Sequence, residues 1–437
     1  MQMQMVRRSW VVVILAVSAI LVQAERAEAS ETLTLKNGIK VVPYTIDGSS
    51  QIHIITYVPM GFCGDEKDHA QWCHLIEHLV SSHGHSLPFS EVNAETLSNC
   101  MHLDYYSRPA SDWREGVALH ASWLSLEKFT DADVKREIPR VLSETESLAN
   151  GNRSGKFAVG AWAQAVRFGR SHVAMLGDVR HPGAKDLFAY YKRNFLAGSP
   201  PVIAVSGKFD RDALIKTLEA KIGTIKLPAA PQAKKAGKRT EHTPVRITWD
   251  LPSRHLMFYW QLPDLGDSDS AALLAAAGSL MASWYQTPAD YRPAQVFVNV
   301  EGLVRAGGHR YLLINIPLKQ SDEAALKQAR KDALNLVGRL FAETPQARMM
   351  GRMQIRSQYQ QLNQIDLVIA QAKARNMPRG NVEGGVAVLS GMFEFLYRGK
   401  MPRYVEALGD PDDSRDRRFL QKVLSPEKRH ELLIVPE

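Results

Sequence analysis

Cysteine is scarce in this 437-residue sequence, which has only Cys63, Cys73 and Cys100. Three cysteines cannot all pair within one chain, so a densely stapled scaffold is excluded, although an oxidising compartment would permit a single bridge. Long hydrophobic runs are also missing. The one candidate, Trp10 to Val22, falls short of the roughly 20 apolar residues that span a bilayer. It follows Arg7-Arg8 and precedes Val22-Gln23-Ala24 and Ala27-Glu28-Ala29, two sites suited to cleavage. Residues 1–29 are therefore read as a signal peptide; no integral span is expected after its removal, and the mature chain is expected in the periplasm or secreted. Concentrated charge of one sign is absent as well. The net charge of +8 is spread along the chain, and its single dense basic run, 234–239, falls in a linker-like stretch, so no nucleic-acid partner is expected.

What remains is an ordinary globular composition, 45% hydrophobic and 23% charged, at a length that suits two domains of about 200 residues each. Residues 31–42 alternate apolar and polar positions around Asn37-Gly38, a hairpin signal. A strand is predicted over 51–59. Trp72, Leu75, Ile76, Leu79 and Val80 then recur at helical spacing, which predicts a helix over 71–82. A strand near 100–106, helices over 112–127 and 131–149, a further helical stretch and a strand over 202–206 complete the first half. Residues 227–245 are rich in Pro, Ala and Lys and lack an apolar period, as an interdomain linker does. The second half repeats the order: a strand over 256–261, a helix over 268–284, strands over 296–300 and 311–316, then helices. Both halves also end alike, with a helix beginning at Ala184 or Ser414 and a strand following. This is an α+β pattern with an internal duplication. The boundaries read as 31–227, a linker over 228–245, and 246–437.

Within the predicted helix, His74-Leu75-Ile76-Glu77-His78 puts two histidines and a glutamate on one face, because positions i, i+3 and i+4 stack over successive turns. Two imidazoles at this spacing can grip a zinc ion, which in a catalytic site takes a third protein ligand and keeps its fourth position for water. The neighbouring carboxylate can then serve as general base. The pattern is H-x-x-E-H, the reverse of H-E-x-x-H.

Several separate stretches resemble the M16 (pitrilysin-like, inverzincin) zinc metallopeptidase family in its half-length, processing-peptidase-type form. They are Thr34-Leu35-Lys36-Asn37-Gly38 with Val41, Gly61 followed by Glu66, the H-x-x-E-H helix, Asn93-Ala94-Glu95-Thr96, and the pair Glu137 and Glu144, seven apart. The resemblance implies two homologous domains, each a mostly antiparallel sheet packed with helices, the first zinc-bearing and the second metal-free. It implies one zinc per chain held by His74, His78 and Glu144, with Glu77 as catalytic base. Glu137 would support the site from behind, and Asn93 would lie at a substrate-binding edge strand. Glu146, two residues past Glu144, points to another helix face. Glu144 follows His78 at a shorter interval than the family usually leaves, which locates a deletion in 81–88. The family's assisting Arg and Tyr are not recognisable between Trp284 and Val300; Tyr291 and Arg292 are merely nearby. The implied function is an exported endopeptidase acting on peptides or unfolded segments as a homodimer or heterodimer with a homologous subunit. The alternative is a non-catalytic scaffold or peptide-binding subunit of a heterodimer.

Overall fold

A computed structural model describes residues 32–46, 48–83, 90–149, 154–195, 200–228, 242–286, 295–298, 305–306, 309–318, 323–342, 349, 351–353, 355–356, 380–397, 403–409 and 412–437. The expected signal peptide, most of the linker, residues 84–89 and the pair Tyr291 and Arg292 lie outside them. Among the described residues no helix is long and apolar enough to cross a membrane.

Asn37 and Gly38 turn β1 (Leu33–Thr34) back onto β2 (Lys40–Thr45). Gly38 takes a φ of +90°, open to glycine and strained for other residues. After β3 (Ile52–Val58) comes α1 (Trp72–Ser81), whose Leu75, Ile76, Leu79 and Val80 are fully buried, as their spacing requires. Next come β4 (Ser90–Thr96), β5 (Met101–Ser107), α2 (Trp113–Leu124), α3 (Asp131–Ala149), α4 (Gly155–Phe168) and β6 (His172–Val173). The first half ends with α5 (Ala184–Asn194), β7 (Val202–Gly207) and α6 (Arg211–Lys221). The second half contains β8 (Arg246–Trp249), β9 (Arg254–Leu262), α7 (Asp267–Gln286), β10 (Gln295–Val298), β11 (Arg305–Ala306) and β12 (His309–Leu318). It closes with α8 (Glu323–Ala342), α9 (Gly380–Tyr397), α10 (Arg403–Ala407), α11 (Asp413–Val423) and β13 (His430–Pro436).

The fold is α+β, with two mostly antiparallel sheets. The first is ordered β1-β2-β7-β3-β5-β4 and the second β10-β12-β9-β13-β8-β6, with β11 added on β12. Read in opposite directions, β2-β7-β3-β5-β4 and β8-β13-β9-β12-β10 match strand for strand. Each has one parallel junction, β2 with β7 or β8 with β13, followed by three antiparallel ones. The duplication read from element order is thus present in the topology. α7 holds in the second half the place that α1 holds in the first, between the corresponding strands.

Each sheet has two apolar faces, and the two halves cover them by exchange. In the first sheet Met101, Leu103 and Tyr105 pack into the large core with residues of α1 to α4, while Ile55, Tyr57, Val202 and Ala204 on the other face meet Ala387 of α9. Gly391 permits this approach, since a Cβ there would sit 2.8 Å from the Tyr57 ring and 2.9 Å from Ala204 Cβ. In the second sheet Phe258, Trp260, Leu312 and Ile314 pack with Leu273, Ala333 and Leu420 of its own helices. Its opposite face, with Met257, Tyr259, Tyr311 and Leu313, joins the core that contains α4. Trp162 of α4 lies edge-on to Tyr259 at 5.6 Å and to Tyr311 at 4.9 Å. The first half also supplies β6, which pairs with β8 in the second sheet. Replacing the fully buried Trp162 by alanine should therefore destabilise the chain by about 3–5 kcal/mol. Urea unfolding followed by circular dichroism would measure the loss, and an unchanged midpoint would contradict this account of the interface.

Candidate metal centre

The site is built where a buried carboxylate starts a helix. Asp65 accepts hydrogen bonds from the backbone N–H groups of Gln71 (2.8 Å) and Cys73 (3.1 Å), from the Tyr190 hydroxyl (2.8 Å) and from the Cys73 thiol (3.3 Å). It thereby caps the amino end of α1, where free N–H groups and the helix dipole favour an acceptor. Burial pushes its pKa up to about 7, against the lowering effect of these bonds. Glu66, the acidic residue singled out in the sequence, instead pairs with Arg193 at 2.9 Å near the surface. Gly61 brings this loop against the β4–β5 turn, where a Cβ would meet Leu97 O at 2.5 Å.

α1 presents His74, Glu77 and His78 on one face, with one donor atom from each within 4.8 Å of the others. α3 packs beside α1, and its buried stripe Val134, Glu137, Val141 and Thr145 brings Glu144 to the same place. Glu144 Oε2 lies 3.2 Å from His78 Nε2 and 3.7 Å from His74 Nε2. Donors about 2.0–2.2 Å from a tetrahedral zinc would be roughly 3.3–3.5 Å apart. Both carboxylate–imidazole separations lie near that range, so His74, His78 and Glu144 suit a zinc ion in donor chemistry and in the distance of the carboxylate from each imidazole. Glu77 is engaged differently, since its Oε2 accepts the Thr96 hydroxyl at 2.6 Å.

Glu137, two turns before Glu144, is 1% exposed and faces His78 Nδ1 at 3.7 Å. Arg136 Nε at 2.8 Å and Arg140 at 3.1 Å balance its charge. The two imidazoles, His74 foremost, hold the Glu144 carboxyl well below the usual carboxylate range. Burial disfavours the His78 imidazolium, but Glu144, Glu77 and Glu137 outweigh it and raise the pKa above its ordinary value. His74 is 1% exposed and set among the rings of Phe62 (5.9 Å) and Phe157 (6.2 Å), whereas Glu144 is 42% exposed. The cluster thus has a dry apolar back and an open front.

Asn93 is not brought into the cluster. It sits on β4, but three residues from the inward-facing Thr96, so strand alternation turns it to the other face, where it is exposed. Glu146 is exposed. Sequence reasoning missed Asp65, Gln71 and Thr96. For Gln71 the available signal is a polar residue one turn before His74.

No curated protein matches the chain by sequence. A family model described as the peptidase M16 inactive domain matches residues 183–297, outside the segment from His74 to Glu144. Among solved structures, the chain is similar to a protease from Helicobacter pylori, with a TM-score of 0.62, 15% identity, and coverage of 93% of this chain and 99% of that one. It is also similar to a peptidase M16 inactive domain from Pseudomonas fluorescens, with a TM-score of 0.63, 14% identity and coverage of 93% and 98%. The periplasmic protease PqqL from Escherichia coli aligns with a TM-score of 0.53 and 11% identity over 95% of this chain and 48% of its own. Residues 183–297 thus match a domain of the M16 peptidase family, and the two-sheet fold is shared, over nearly the full length of both chains, with solved structures that include an M16 inactive domain.

Proposed function

We propose that the chain is an exported zinc-dependent endopeptidase that hydrolyses peptides or unfolded segments. In this reading His74, His78 and Glu144 hold one zinc ion per chain and Glu77 is the general base. The observation that carries it is the convergence of the Glu144 carboxylate, 66 residues downstream, on the two imidazoles of α1.

Zinc in such a site supplies Lewis acidity toward water and toward a peptide carbonyl. Thr96 occupies Oε2 of Glu77, which leaves Oε1 to take a proton from the attacking water and return it to the departing amine. Glu137 orients His78 through Nδ1, as outer carboxylates commonly do for ligating histidines. Among the described residues β4 is the edge strand of the first sheet, and beside Glu77 it is placed to receive an extended peptide, with Asn93 on its outer face. The signal-like segment and the likeness to a periplasmic protease support export. Pairing with a second copy or a homologous subunit would supply the assisting Arg and Tyr that the sequence lacks in recognisable form. A second reading, a non-catalytic scaffold or peptide-binding subunit, draws support from the match to an inactive-domain model over 183–297.

Metal analysis and digestion of an unfolded protein separate the two readings. The purified chain should carry about one zinc, His74→Ala and Glu144→Gln should lose it, and Glu77→Gln should retain it while cleavage falls by about 10²–10⁴-fold. Full cleavage by Glu77→Gln would refute the assigned mechanism. A zinc-loaded parent that binds peptides without cutting them would favour the second reading. Because surrounding carboxylates keep metal-free His78 protonated above its ordinary range, zinc must displace a proton. Apparent zinc affinity should then drop about tenfold per pH unit once the pH is below that raised value, as a competition titration between about pH 5 and 8 would show.

A further inference from the structure

We infer that Gln71 is a positioning residue for this site: it sets which ring nitrogen of His74 carries the proton and ties the histidine helix to the helix that bears Glu144. The inference rests on the zinc reading for its purpose, but its structural basis is independent of any metal.

Gln71 precedes α1 with φ 66° and ψ 11°, the left-handed region. For a residue other than glycine this costs roughly 1–2 kcal/mol and persists only when the surroundings impose it. They do so on every side. The residue is 0% exposed, its N–H donates to Asp65, and its carbonyl accepts from Leu75 N–H at 3.0 Å. The amide Nε2 donates to the Met175 carbonyl at 3.0 Å. A carbonyl can only accept, so the amide has one orientation, and Oε1 must face the other way.

Oε1 meets two groups, His74 Nδ1 at 3.0 Å and the Thr145 hydroxyl at 3.0 Å. An amide oxygen has no proton to give, so His74 Nδ1 is the N–H donor. In the neutral ring the lone pair is then on Nε2, the nitrogen that faces Glu144 at 3.7 Å. Thr145 is the next residue after Glu144. One buried oxygen atom therefore holds the first histidine in the ligand tautomer and anchors the chain beside the carboxylate from the second helix. A packing role alone would not need the acceptor to converge on both ligand-bearing segments.

The test uses the full zinc-free chain labelled with ¹⁵N-histidine, together with zinc affinity from chelator competition. At a pH where the ring is neutral, His74 should show the Nδ1–H tautomer in the parent. Gln71→Met keeps shape and backbone but removes the acceptor; it should lose that preference and bind zinc roughly 10–100-fold more weakly. Gln71→Glu, with one oxygen protonated toward the Met175 carbonyl, keeps an acceptor on His74 Nδ1 and should retain the tautomer. A Gln71→Met chain that retains the Nδ1–H signature or the parental zinc affinity overturns the inference. So does a parent whose His74 is protonated on Nε2, which decides the matter even if Gln71→Met does not fold. If His74 behaves as inferred but no variant, parent included, binds zinc, the tautomer assignment stands and the zinc reading falls.

Discussion

Two apolar faces on each sheet, with helices of its own half for only one of them, is the constraint from which the rest of the architecture follows. An exposed sheet face carrying Ile55, Tyr57 and Val202, or Met257, Tyr259 and Leu313, would be a large hydrophobic patch in water. The halves resolve this by lending each other a helix, α9 to the first sheet and α4 to the second. The sequence divides near residue 240, but the packing does not divide there.

That exchange also shapes the site. α4 has Phe157 near its amino end, against the His74 ring, and Trp162 further along, against the tyrosines of the second sheet. The dry wall behind His74 is thus continuous with the interface between the halves. Imidazoles set in an apolar wall are held in few orientations, and the polar atoms they retain must be matched one by one. Gln71 answers His74 Nδ1, Glu137 faces His78 Nδ1, and Thr96 answers Glu77.

The duplicated topology shows how the halves have diverged. α7 takes the position of α1 yet reads Asp-Ser-Asp-Ser-Ala-Ala-Leu-Leu-Ala-Ala-Ala-Gly-Ser-Leu-Met-Ala-Ser-Trp-Tyr-Gln, with no histidine or glutamate. A strand order kept in both halves, with site chemistry on the helix of only one, fits the general rule that function is grafted onto folds. The second half contributes the helix that closes the first sheet.

Local physics was enough to read much of this in the residues. The 3.6-residue apolar spacing marks α1, the run from Asp131 to Ala149 is helical over its whole length, and Asn37-Gly38 turns a hairpin, because each depends on neighbours a few positions away. The spacing of His74, Glu77 and His78 on one helical face is legible for the same reason. β4 was visible only through family resemblance, since Ser-Glu-Val-Asn-Ala-Glu-Thr is an edge strand with one face exposed and has a weak apolar signal. Adjacent acids could not be told apart in the sequence: Asp65 turns inward to cap α1 and Glu66 outward to Arg193, a difference set by backbone direction. The meeting of Glu144 with the imidazoles, of Gln71 with Thr145, and of α4 with the second sheet belongs to tertiary structure alone, because sequence periodicity tells which face a segment buries and carries no information about the partner it is buried against.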